Sequence, residues 1–90
     1  MADAIDQHVG GRLSARRHSL GLTLQEVARA AGTTLQQVHK YETGSSRMTP
    51  ARLWSLAKAL GVDVNYFFEG FGKTGSDVAG DDGRGRLKTG

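Results

Sequence analysis

Ninety residues without a cysteine allow one domain, and they exclude a disulfide framework and thiolate metal sites. Apolar residues make up 38% of the chain, enough for a small core, and a formal net charge of +3 permits contact with a polyanion without requiring it. No stretch approaches the ~18 apolar residues of a membrane span, and the acidic start Met1-Ala2-Asp3-Ala4-Ile5-Asp6 lacks the apolar run of a signal peptide, so a cytoplasmic protein with no membrane partner is expected.

Helical periodicity runs to about Phe71 and divides into five predicted helices. Asp6 is placed to cap the first, which extends to about Leu20 with Val9, Leu13 and Leu20 on one stripe and Gly21 as its stop. Gly10 and Gly11 weaken that helix, so a close neighbour or compensating packing is expected there. The second helix opens on Thr23-Leu24-Gln25-Glu26, the spacing of a capping box, with Leu22 and Val27 as its hydrophobic staple. It carries Val27, Ala28, Ala30 and Ala31 and ends at Gly32.

Thr33 or Thr34 caps the third helix, with Gln36 or Gln37 in the matching box position, and the helix runs through Val38 and Tyr41 to Gly44. Thr49-Pro50 opens the fourth, which buries Leu53, Leu56, Ala57 and Leu60 and stops at Gly61. The fifth starts at Asp63 and carries Val64, Phe67 and Phe68. So short a helix cannot bury Tyr66, Phe67 and Phe68 together, which makes Val64, Phe67 and Phe68 candidates for a dimer contact. Trp54 fits either the core or an interface. From Gly72 onward the chain is glycine-rich, and a disordered tail over 72–90 is expected beside a folded domain over 1–71. Within that tail Arg84-Gly85-Arg86 is read as a basic end able to add nonspecific attraction to phosphates.

Two helices joined by a tight turn at Gly32 have the form of a helix-turn-helix, which leaves one side of the third helix outward. A helix about 10–12 Å across fits a major groove about 12 Å wide. Gln36, Lys40 and Thr43 share one stripe of that helix, flanked by Leu35, Gln37 and His39, while Val38, Tyr41 and Glu42 lie on another side. Glutamine can bond adenine in bidentate fashion, lysine can donate to guanine, and a leucine can meet a thymine methyl. Arg12, Arg16, Arg17 and His18 form an early basic run, for which an ordinary solvated face is the competing reading. His8, His18 and His39 do not have the spacing of a metal site, and no cofactor is expected.

LGLTLQEVARAAGTTLQQVHKYETG followed by RLWSLAKALGVDVNYFFEG resembles the Cro/CI-type (XRE-like) helix-turn-helix family of phage repressors and bacterial regulators, in a branch common in alphaproteobacteria. The resemblance covers roughly residues 5–70 without a gap. It implies an all-α, five-helix, lambda-repressor-like fold that binds double-stranded DNA as a homodimer on a palindromic operator, and so a transcriptional regulator, most simply a repressor. The family's base-reading positions fall on Thr34, Leu35, Gln36 and Lys40, with Gln37 added as a further candidate for base contact. Its phosphate-contact positions fall on Arg17, Thr23, the amide of Leu24, Thr43 and Arg47, and it implies a structural ion pair between Arg17 and Glu42. Leu24 departs from a glutamine common at the start of the second helix, which removes a side-chain contact to phosphate and leaves the amide, while Leu35 departs from a phenylalanine and His39 from a glutamine, which shifts the expected operator.

An enzyme is not expected, since no nucleophile–base pair, phosphate loop or carboxylate pair is apparent. The alternative with the same fold is a DNA-binding antitoxin whose tail binds a toxin.

Overall fold

The computed structural model describes residues 3–72; the tail expected over 72–90, its Arg84-Gly85-Arg86 included, lies outside the described residues apart from Gly72. Four α-helices follow one another: α1 (Ala4–Ser19), α2 (Leu24–Ala31), α3 (Leu35–Thr43) and α4 (Pro50–Leu60). The fifth expected helix is instead a single 3-10 helix over Val64–Phe68. Five residues make too few bonds to repay the nucleation of an α-helix, so the tighter turn prevails.

Local chemistry sets most of these ends. The Thr23 hydroxyl accepts the Glu26 amide at 3.0 Å, and the Glu26 carboxylate accepts the Thr23 amide at 2.8 Å, which completes the capping box of α2. Thr34 and Thr49 cap α3 and α4 by accepting from the amides of Gln37 and Arg52, both at 3.1 Å. The start of α1 departs from expectation. Its N-cap is Asp3, whose side chain makes no capping bond, and Asp6 lies inside the first turn. Both carboxylates are turned toward Arg47, a stronger partner than a neutral amide.

The core joins the four helices to the 3-10 helix. Leu13, Val27, Val38, Leu56, Leu60 and Phe67 are its largest fully buried side chains, and no polar or charged residue among those described is buried with them. Phe67 is therefore a core residue, not the exposed dimer contact expected for it; burying its ring removes about 2–3 kcal/mol of apolar exposure from water. Tyr66 is half-buried. Arg12 lies over its ring, 3.9 Å from the centroid, and donates to its carbonyl at 2.9 Å.

Gly10 explains how α1 and α3 meet. A Cβ at this position would sit 2.1 Å from the carbonyl oxygen of Tyr41, so only glycine lets the end of α3 lie against α1. Gly11 has open space beside it. Gly32 ends α2 at φ 76°, a left-handed conformation that turns the chain into α3 within three residues. Arginines bind the last carbonyls of two helices: Arg52 donates to that of Ala31 in α2 at 2.8 Å, and Arg16 to that of Leu60 in α4 at 3.0 Å.

Candidate nucleic-acid interface

One side of α3 is anchored and the other is left in solvent. Val38 and Tyr41 are buried, 0% and 6% exposed, and hold the helix to the core. Leu35, Gln36, His39, Lys40 and Thr43 are all exposed. The turn at Gly32 and the Thr34 cap fix where this helix begins. The exposed group set is a methyl-rich side chain, an amide, an imidazole, an ammonium and a hydroxyl. Apart from the ammonium and the leucine these groups both donate and accept, and the leucine offers apolar contact.

Gln37 does not share that face. It is half-buried, and its amide nitrogen donates to the Ser46 hydroxyl at 3.1 Å, tying α3 to the loop that follows. Its expected base contact is thus replaced by a structural bond. The reason is rotational: Gln37 adjoins the buried Val38 side of the helix.

Arg17 and Glu42 form the expected pair. Nε donates to Oε2 at 2.6 Å and Nη2 to Oε1 at 3.0 Å, a fork-to-fork arrangement with side chains 12% and 8% exposed. Nη1 donates to the Leu22 carbonyl at 2.9 Å, so one guanidinium binds α1 to α3 and to the loop before α2. The hydrogen bond to Glu42 is the main reason the guanidinium is held above the usual arginine range; partial burial opposes it and the carboxylate charge adds to it. Three of its N–H groups are thus bonded inside the fold, so the group acts first as a strut, and fewer remain for the phosphate contact also expected of Arg17.

Arg47, in the loop between α3 and α4, is different. Its side chain is 64% exposed and lies between Asp3 and Asp6. Nε donates to the two Asp6 oxygens at 3.1 and 3.3 Å, and Nη2 is paired with Asp3. The hydrogen bond to Asp6, then the charges of Asp6 and Asp3, push its pKa up. No local pattern announces this contact, because the partners are 41 and 44 residues apart. Arg12 and Arg16 from the early basic run are also committed: Arg12 to Glu69 at 2.8 Å and to the Tyr66 carbonyl, Arg16 to the end of α4.

The remaining expected positions are accessible. Thr23 is exposed, and Leu24 is the first residue of α2, where an amide has no partner within its helix. The Thr43 hydroxyl donates to the Lys40 carbonyl at 3.1 Å and sits 3.0 Å from the Ser45 hydroxyl. Thr23 and Leu24 open α2, Thr43 is the last residue of α3, and Arg47 lies in the loop that follows it. Val64 is half-buried beside the core, while Phe68 and Phe71 are 39% and 40% exposed. Phe68 lines a cavity of ≈ 310 Å³ with Ile5, Val9, Met48 and Leu53.

The HTH_3 helix-turn-helix family model matches residues 13–67, from the middle of α1 through Phe67. The chain belongs to this family. It is 45% identical over 64 residues to an uncharacterized transcriptional regulator in the ATPase CF(0) region of Rhodospirillum rubrum, a match that takes in 71% of this chain and 59% of that protein. It is 39% identical over 79 residues to an uncharacterized HTH-type transcriptional regulator of Sinorhizobium medicae, covering 88% of this chain and 52% of the relative. The chain therefore spans little more than half the length of these relatives. Among solved structures, the restriction-modification controller protein C.AhdI from Aeromonas hydrophila superposes with a TM-score of 0.71 at 26% identity, over 73% of this chain and 100% of that one.

Proposed function

We propose that this helix-turn-helix protein is a sequence-specific DNA-binding transcriptional regulator, acting as a repressor, that sets α3 into the major groove. The observation that carries the reading is the division of α3: Val38 and Tyr41 seal one side into the core while Gln36 and Lys40 stand fully outside it. Its membership of a family that includes relatives named as transcriptional regulators supports it. In this reading Thr34, Leu35, Gln36 and Lys40 address base edges. Thr23, the Leu24 amide, Thr43 and Arg47 address phosphates, the amide aided by the positive end of the α2 dipole.

A homodimer completes the proposal. Two copies of α3 would enter successive major grooves roughly 34–36 Å apart, and the operator would be palindromic. The exposed ring of Phe68, with Val64 beside it, supplies apolar surface for such a contact. The antitoxin alternative rests on the residues after Gly72, and no observation favours it.

Selection of bound sequences from a random duplex pool tests the reading. A two-fold symmetric consensus is the expected result, and retention of unrelated sequences in proportion to the pool would overturn it. Gln36→Ala is expected to cost about 1–3 kcal/mol of specific binding and to relax one base pair in each half-site. Gel shifts in which Gln36→Ala binds the selected site as the wild type does would remove Gln36 from the base-reading set.

A further inference from the structure

Four of the exposed side chains of α3 have roles in the proposed function; His39 has none. Helical geometry shows where it points. At 100° per residue the buried pair Val38 and Tyr41 defines an inward direction, and Gln36 and Thr43 lie within about 10° of the opposite pole. His39 and Lys40 each lie about 50° from that pole, on opposite sides of it, with Leu35 about 90° away on the His39 side. His39 and Lys40 are therefore equivalent about the outward axis, and they sit at nearly the same depth along the helix. Gln37 lies beyond about 100° from the pole, consistent with its bond to Ser46.

Two ridges follow from the four-residue step. Gln36 and Lys40 form one, amide and ammonium. Leu35 and His39 form the other, an isobutyl group and an imidazole. Both members of the second ridge are exposed, and His39 has no hydrogen-bond partner among the described residues, whereas His8 donates to the Glu69 carbonyl at 2.7 Å and His18 to the Ser14 carbonyl at 2.8 Å. An imidazole without an internal partner, placed one turn above a leucine on an outward ridge, has an N–H free for an acceptor in the groove. Guanine presents two such acceptors there, N7 and O6.

We infer that His39 is a base-reading residue, and that the Leu35–His39 ridge selects a step of operator sequence separate from the one read by Gln36 and Lys40. Leu35 meets a thymine methyl, and His39 donates to a neighbouring guanine. The inference rests on the reading of α3 as the groove-entering helix and adds a specificity position to it.

The test is a pool selection run in parallel on the full chain and on His39→Ala, His39→Gln, Gln37→Ala and Gln36→Ala, with folding checked by thermal melts. His39 and Gln36 are exposed, so wild-type melting is expected for their variants. His39→Ala is expected to flatten one base-pair position in each half-site, other than the one relaxed by Gln36→Ala, and to weaken the selected site about three- to tenfold, the loss of one hydrogen bond. His39→Gln is expected to turn that same position from guanine toward adenine, since glutamine addresses adenine N6 and N7. Gln37→Ala keeps every preference. If His39→Ala and His39→Gln both select the wild-type consensus unchanged while Gln36→Ala alters it, the His39 assignment falls and the regulator reading stands. If the wild type selects no consensus, both fall together.

Discussion

Arg17 and Arg47 are both arginines gripped by carboxylates, of α3 in one case and of α1 and its N-cap in the other, and they differ in almost everything else. The Arg17–Glu42 pair is about nine-tenths covered, with its guanidinium also bound to the Leu22 carbonyl. The Arg47 cluster is an exposed side chain between two aspartates, one of them 63% exposed. Coulomb attraction is weakly screened in the first setting and strongly in the second. An ion pair out of water holds elements together, and removing one partner strands the other. An ion pair in water is weak, exchangeable and sensitive to salt. Formal charge in the sequence says nothing of this difference. Of the basic run Arg12, Arg16, Arg17, each member donates to an acceptor within the fold, Arg12 and Arg17 to carboxylates and Arg16 to a neutral carbonyl.

The sharpest way to break the comparison is to truncate the covered arginine. Arg17→Ala strands Glu42 at the α1–α3 contact and removes the donor to Leu22; the loss expected in chemical denaturation is about 3 kcal/mol. A loss near that of an exposed pair, a few tenths of a kcal/mol, would show that solvent reaches the site and that the contrast is false. The pH dependence has a fixed sign. Glu42 raises the guanidinium pKa in the folded state, so the contribution from Arg17 is full below the unfolded pKa and is lost only as pH rises through the higher folded one, in strongly alkaline solution. Melting temperature should therefore show no step assignable to Arg17 across the neutral range.

Arg47→Ala should behave in the opposite manner. Stability is expected to fall by no more than about 1 kcal/mol, since the arginine itself is exposed and screened although Asp6, 15% exposed, loses a partner. Binding to every duplex should weaken, with the slope of log K against log salt flattened by about 0.9, one phosphate's worth of released counterions. The selected consensus should not move. An unchanged salt slope in filter-binding titrations would assign Arg47 wholly to its aspartates.

How much of this could be read beforehand depends on sequence distance. The capping box at Thr23 and Glu26, the Thr49-Pro50 start and the turn at Gly32 are written within four residues of where they act, and each stands as read. The strain of glycine in the first helix was legible as a demand for a neighbour, but not that the neighbour is the Tyr41 carbonyl. The Arg17–Glu42 pair was available only through family resemblance, because nothing local links residues 25 apart. What escaped was tertiary. Asp6 looks like a cap until Arg47 arrives from the α3–α4 loop, Gln37 looks like a base reader until Ser46 takes its amide, and Phe67 looks like surplus until the core closes over it. In each case a nearby rule was correct in kind and was overruled by a contact the spacing could not carry.

The smallest expected effect concerns the aspartates themselves. Asp6 is only 15% exposed, yet its carboxylate faces the one arginine that the proposed function sends toward a phosphate. A phosphate approaching Arg47 must then compete with two carboxylates that already accept from its Nε and Nη2, so the pair opposes binding rather than aiding it. Asp6→Asn keeps the shape, removes one negative charge and leaves Asp3 in place. It should tighten binding to any duplex about two- to fivefold at low salt, an effect that fades as salt screens both competitors. Weaker binding by Asp6→Asn would mean that the carboxylate instead holds Arg47 in the pose the phosphate needs. Titration of Asp6→Asn, Arg47→Ala and the double variant at two salt concentrations separates the outcomes: competition requires that the gain vanish once Arg47 is gone, whereas a gain that persists would be a general effect of net charge.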